Sequence, residues 1–139
     1  MTMNSADVTA GNDGTATQYN NLRKDVRNAV KDLQTVADAA TITFNLANGA
    51  IQKTTLGGNR TLAISNLLGG QSFVLIIAQD ATGNRVPTWF ISPGAGTHAI
   101  KWVNGIVPTL SVGANAIDIF AFFYDGVDIY GSIVGQNYA

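Results

Sequence analysis

Two periods divide the chain. From Tyr19 to Ala40 the apolar residues Tyr19, Leu22, Val26, Ala29, Leu33, Val36 and Ala40 step by three and four in alternation, which places them on one stripe of a helix. From Thr41 onward the period falls to two, in short runs rich in Thr, Ile, Val and Phe, the spacing of strands with one face turned to a core. Ahead of both, MTMNSADVTAGNDG, residues 1–14, has no period and few large apolar groups, so it reads as an arm without a core of its own.

A capping box opens the helix. Thr15 and Gln18 stand three apart, so the hydroxyl and the side-chain amide can satisfy backbone N–H groups that the first turn leaves unpaired. The expected helical segment is 15–40, with a coiled-coil seam of a and d positions. Val30 and Ala37 widen that stripe, as in a helix laid on its own domain. The regular seam favours a parallel trio of helices, with the wider stripe also touching the globular part. On that reading Tyr19, Leu22, Val26, Ala29, Leu33 and Val36 lie in a trimer interface.

Residues 41–139 form the β-domain. Asn48-Gly49, Gly57-Gly58, Gly69-Gly70, Gly83-Asn84 and Asp125-Gly126 punctuate it, and eight strands are expected at 41–46, 50–56, 60–65, 72–79, 86–91, 99–103, 116–124 and 128–134. The pattern is mainly β, a jelly-roll-like β-sandwich preceded by the arm and one α-helix. Pro87 cannot donate to a ladder, which makes the fifth strand an edge or a bulged strand. A two-residue turn at Asp125-Gly126 would set Phe122 opposite Ile129, Phe120 opposite Gly131 and Asp118 opposite Ile133, with Gly131 leaving room for Phe120.

The strand 116–124 is apolar on both sides. Phe120, Phe122 and Tyr124 share one face, while Ile117, Ile119, Ala121 and Phe123 share the other. A sandwich within a chain of 139 residues has one core, so the second face requires either the helix or another subunit as cover. The subunit is the expected cover, which adds Ile117, Ile119 and Phe123 to the trimer interface.

Charge and composition narrow the chemistry. The net charge is -1 and only 12% of residues are charged, every acidic one being Asp, so no basic footprint for nucleic acid exists. The longest apolar run, 73–78, is too short for a membrane helix, and 1–14 lacks the basic start and apolar core of a signal peptide. With no cysteine and a single histidine, His98, neither a thiolate site nor a two-histidine metal site fits within one chain. Asp80, Asp118, Asp125 and Asp128 lack the spacing of a calcium loop. Gly94-Ala-Gly96-Thr-His-Ala99 matches a dinucleotide fingerprint in letters but precedes a strand-like IKW instead of opening a helix. No cofactor and no enzymatic activity are expected. Trp89, Trp102 and Tyr130 could stack against sugar rings, although strand residues of this kind more often fill a core.

The runs LGGNRTLAISN (56–66), GQSFVLIIAQDATGNR (70–85), IKWVNG (100–105) and PTLSVGANAIDIFAFFYDGVDIYGSIVGQN (108–137) resemble a β-domain of bacteriophage virion proteins, found in tail-fibre segments and capsid decoration proteins. AGNDGTATQYNNLRKDV (10–26) is similar to the start of small phage structural proteins. The resemblance implies a non-catalytic, usually trimeric virion component. Residues 15–40 supply no long shaft, so a capsid decoration or cement protein on the virion surface is the expected role. Its arm would bind the major capsid protein through Thr2, Asn4, Asp7, Val8 and Thr9. The alternative is a trimeric tail-fibre or receptor-binding tip that recognises host-surface carbohydrate.

Overall fold

The computed structural model describes residues 16–30, 33–93 and 98–139, with 24–30 as backbone. The arm 1–14, its five expected capsid-binding residues and the capping Thr15 lie outside the described residues.

The molecule is mainly β. One helix, α1 (Ala16–Val30), precedes β1 (Leu33–Val36), β2 (Thr41–Asn45), β3 (Ile51–Leu56), β4 (Arg60–Ser65), β5 (Ser72–Gln79), β6 (Pro87–Thr88), β7 (Ile91–Ser92), β8 (His98–Ala99), β9 (Lys101–Trp102), β10 (Ile117–Tyr124) and β11 (Ile129–Tyr138). A six-stranded sheet runs β1-β3-β5-β10-β11-β9, and a three-stranded sheet runs β2-β4-β6. β7 and β8 form a separate antiparallel pair.

The helix is shorter than its apolar stripe. Leu33 and Val36 continue the three-and-four spacing, yet they belong to a strand in which Leu33 lies beside Ile51 and Val36 beside Thr54. Three residues apart, they face opposite sides of that strand: Leu33 is 53% exposed, while Val36 packs against the core. The seam expected to run to residue 40 therefore ends with α1 at Val30.

The first six strands coil. The chain places β1, β3 and β5 in one sheet and β2, β4 and β6 in the other by turns, so each strand pairs in parallel with the one two elements on. Leu33, Ile51 and Val74 consequently stand in one row across the large sheet. Jelly-roll strands pair antiparallel, so this connectivity differs from the one expected; a period of two specifies which face a residue takes but not which strand lies beside it. Among the described residues the antiparallel pairings of the large sheet are β5 with β10 and β10 with β11.

Polar side chains tie successive coils at their corners. Arg60 donates to Asp38 from Nε at 2.8 Å and from Nη2 at 2.7 Å. Asn66 Nδ2 donates to Asn45 Oδ1 at 2.9 Å, and the Val86 N–H donates to Asn59 Oδ1 at 2.9 Å. The asparagine content has a backbone cause as well. Asn66, Asn84, Asn104, Asn115 and Asn137 all adopt φ between 54° and 61°, the left-handed region that asparagine tolerates better than most residues.

Between the sheets lies one core in which Phe44, Leu56, Leu75, Phe120 and Ile129 are fully buried. Its aromatic end joins Phe73 stacked on Phe122 at 4.9 Å to Trp89, which meets Trp102 and Phe120 edge-on at 5.0 Å each. The buried polar groups are satisfied. Gln52 Nε2 donates to the carbonyls of Asn45 and Gly49, Thr54 Oγ1 donates to the Val36 carbonyl, and Ser92 Oγ accepts the Ile129 N–H. β6 is an edge strand of the small sheet, as Pro87 requires.

Candidate functional site

The outward face of the six-stranded sheet carries apolar side chains on several strands. Strand register builds it in rows. Leu33, Ile51, Val74, Ala121 and Ser132 cross the sheet in one row. Lys53, Ile76 and Ile119 form the next, Ala78 and Ile117 another, and Ser72, Phe123, Tyr130 and Lys101 the row nearest the β10–β11 turn. Ile117, Ile119, Ala121, Val74 and Ile76 are half-buried by their neighbours alone, whereas Ile51, Phe123 and Tyr130 are 38%, 42% and 42% exposed. With strands about 4.8 Å apart and about 3.3 Å per residue, these rows cover roughly 450 Å². Lys53 and Lys101 bring the only charges to them.

The β10–β11 turn is longer than two residues. Tyr124 pairs with Ile129, so Phe122 lies opposite Gly131 and Phe120 opposite Ile133, two residues from the expected register. The cause is Asp125, whose Oδ1 accepts the N–H groups of both Val127 and Asp128 and closes a four-residue loop. A shift by two preserves the faces as far as Ile133; beyond it a bulge, where Phe120 pairs with Ile133 but Ile119 with Gly135, takes Val134 out of the expected pairing. Gly131 makes room for Trp102 instead of Phe120: a Cβ there would stand 2.7 Å from the indole ring.

Beside that turn a charged cluster gathers from β8, β9 and β11. Asp128 meets His98 Nδ1 at 3.0 Å through Oδ1 and accepts from Lys101 Nζ at 2.7 Å through Oδ2. Tyr130 donates its hydroxyl to Asp125 Oδ2 at 3.0 Å, and Lys101 Nζ sits 5.9 Å from the Tyr130 ring centre. The Lys101 hydrogen bond holds the Asp128 carboxyl below the usual range, and Asp128 in turn raises the ammonium. Two backbone N–H groups, from Asp128 and Val127, lower Asp125, which by its hydrogen bond raises the Tyr130 phenol. Raising the ammonium keeps Lys101 a cation, which suits an ion pair and not a nucleophile.

Asp118 lies inside the fold and is 1% exposed. It accepts the backbone N–H groups of Ser111 at 2.7 Å and Asn137 at 2.9 Å, and the Gln136 amide at 3.1 Å. These bonds fasten the end of β11 to the loop before β10. Among the described residues no three His, Cys, Asp or Glu side chains gather as metal ligands, and no helix is long and apolar enough to cross a membrane.

The residues singled out from sequence scatter. Tyr19 and Leu22 are 60% and 41% exposed on α1, and the side chains of Val26 and Ala29 lie outside the described set. Leu33, Ile117, Ile119 and Phe123 meet on the outward sheet face, while Val36 turns inward. Trp102 is 8% exposed and Trp89 packs against the core, whereas Tyr130 is 42% exposed with Phe123 stacked beside it and Lys101 over its ring. Sequence reasoning missed Leu33 and Ile51 as strand neighbours of this face. The alignable runs LQTV and IQKT were the available signal. No family model, curated protein or solved structure matches the chain.

Proposed function

We propose that this chain is a non-catalytic structural protein of a bacteriophage virion, a homotrimer that decorates and stabilises the capsid. The observation that carries the self-assembling part is the outward face of the six-stranded sheet. Apolar side chains stand in each of its rows beside Lys53, Ser72, Ser132 and Lys101, and its roughly 450 Å² is a little over half of the about 800 Å² per partner of a standard protein interface. A second copy lying on Ile117, Ile119 and Phe123 would remove those side chains from water, at about 25 cal/mol for each Å² of apolar surface covered. The place in a virion rests on the sequence resemblance, and attachment rests on the arm, where three copies at one end of a trimer would gain avidity from weak individual contacts.

The receptor-binding alternative retains one supporting observation. Tyr130 and Phe123, each 42% exposed, stack at 6.5 Å and 23° with Lys101 over the Tyr130 ring, an aromatic pair of the kind that could meet a sugar ring.

Mixing experiments separate the two. The intact protein should bind capsids that lack it and raise their resistance to heat, and a chain beginning at Thr15 should remain a trimer but lose that binding. Binding to tails or host cells in place of capsids would overturn the capsid assignment in favour of the tip.

A further inference from the structure

The loop after β9 carries a second apolar surface. From Trp102 to Ile117 the chain has no charged residue, and Val103, Ile106 and Val107 are 63%, 69% and 58% exposed. The Ile106 N–H donates to the Val103 carbonyl at 3.2 Å and closes a turn there, and Gln136 Nε2 donates to the Thr109 carbonyl at 2.7 Å, which ties the loop to β11. Val103, Ile106 and Ile133 line a depression of about 310 Å³, and Val103 also borders the hollow beside Phe123 and Tyr130. The loop therefore adjoins the outward sheet face on its β9 side.

We propose that this loop, centred on Ile106, is the surface on which the outward sheet face of a neighbouring copy lies. It rests on the trimer reading above and gives that interface its second side. Symmetry requires one. A patch that meets itself generates a two-fold pair, so three copies close into a ring only if each contact joins two different surfaces. Polarity removes the far side of the molecule as the second surface. There the outer face of the small sheet exposes Thr41, Thr43, Thr61 and Thr88, while Ile42 and Leu62 between them turn to the core. Position favours the loop as well, since contacts on opposite sides of a chain extend a stack without end, whereas adjoining contacts turn the chain back on itself.

Charge and area point the same way. The face brings Lys53 and Lys101, and the neighbouring carboxylate Asp128 is already bound to Lys101 at 2.7 Å. Two faces laid together would gather further lysines and, among the described residues, no free acid; the loop adds no charge. A face-to-face pair would also bury only the roughly 450 Å² of the face on each chain, against about 800 Å² in a standard interface. In a ring each chain is held twice, once by its face and once by its loop.

Molar mass and cross-linking test this. Ile106→Lys, at an exposed side chain, should leave circular dichroism unchanged and turn the trimer into a monomer at micromolar concentration. The chain has no cysteine, so single thiols can be placed at will. Full chains carrying Ile106→Cys and Ile119→Cys, distinguished by tags and co-expressed, should yield with a short bis-maleimide a linked pair containing one of each. Either variant expressed alone should yield at least ten-fold less linked product. If Ile106→Lys misfolds, the cross-linking alone decides. A folded Ile106→Lys protein that stays a trimer, absence of the mixed pair, or Ile119→Cys chains that link to one another as readily would overturn the loop contact while a trimeric unaltered protein keeps the trimer reading intact. An unaltered protein that is monomeric would overturn both.

Discussion

β10 presents two faces of nearly equal hydrophobicity and opposite fate. Asp118, Phe120, Phe122 and Tyr124 point inward and are 6% exposed or less, one of them a carboxylate. Ile117, Ile119, Ala121 and Phe123 point outward, half-buried or exposed. Apolarity therefore does not separate the two faces. What separates them is a partner: the second sheet covers one, and among the described residues no strand lies over the other. The inward face holds the monomer together, and the outward face is left available for an assembly.

Mutations can break that comparison. Phe120→Ala should destabilise the folded chain by roughly 3–5 kcal/mol, because a fully buried ring leaves a cavity between the sheets. Ile119→Ala, one residue away, should lower the stability of the dissociated chain by no more than about 1 kcal/mol. Denaturant unfolding of both variants checks the pair; equal losses would mean that the outward face is also core.

Next in size is Gly131→Ala. The added methyl would meet the Trp102 ring at 2.7 Å in a tightly packed aromatic end, and overpacking of this kind typically costs about 1–3 kcal/mol. Unfolding midpoints should fall, with a change in tryptophan fluorescence that a surface substitution would not produce.

The smallest expected effect is a dependence on acid. Arg60 holds the Asp38 carboxyl down to about 2 from its usual 3.8. A folded pKa below the unfolded one means that its stabilising contribution is complete above pH 3.8 and is lost as the pH falls through about 2. Asp38 is near the surface, so screening by salt keeps the effect small. Arg60→Gln should flatten the stability profile between pH 4 and 2, and an unchanged profile would mean that the pair does not couple to folding.

Much of the fold was legible in residue order. The strands 60–65 and 72–79 lie where the period of two and the flanking Gly turns put them. The two faces of β10 also follow from alternation, which survives a shift of register by two. Three features were hidden for physical reasons. Leu33 and Val36 fit both periods, since a separation of three keeps two residues on one side of a helix but sets them on opposite sides of a strand. Parallel coiling depends on which strands become neighbours, and alternation carries no information about that. The β10–β11 loop depends on one carboxylate, Asp125, capping two backbone N–H groups, which the Asp-Gly pair alone does not announce. Among the site residues, the aromatic character of Trp89 and Trp102 was evident, but the room that buries Trp102 is left by a glycine, Gly131, on a neighbouring strand.

The proposal that copies meet on the outward sheet face is tested most directly by molar mass. Light scattering at micromolar concentration should give a trimer for the unaltered protein and a folded monomer for Ile119→Lys, with unchanged circular dichroism in the dissociated chain. A monomeric unaltered protein, or an Ile119→Lys variant that remains a trimer, would contradict it.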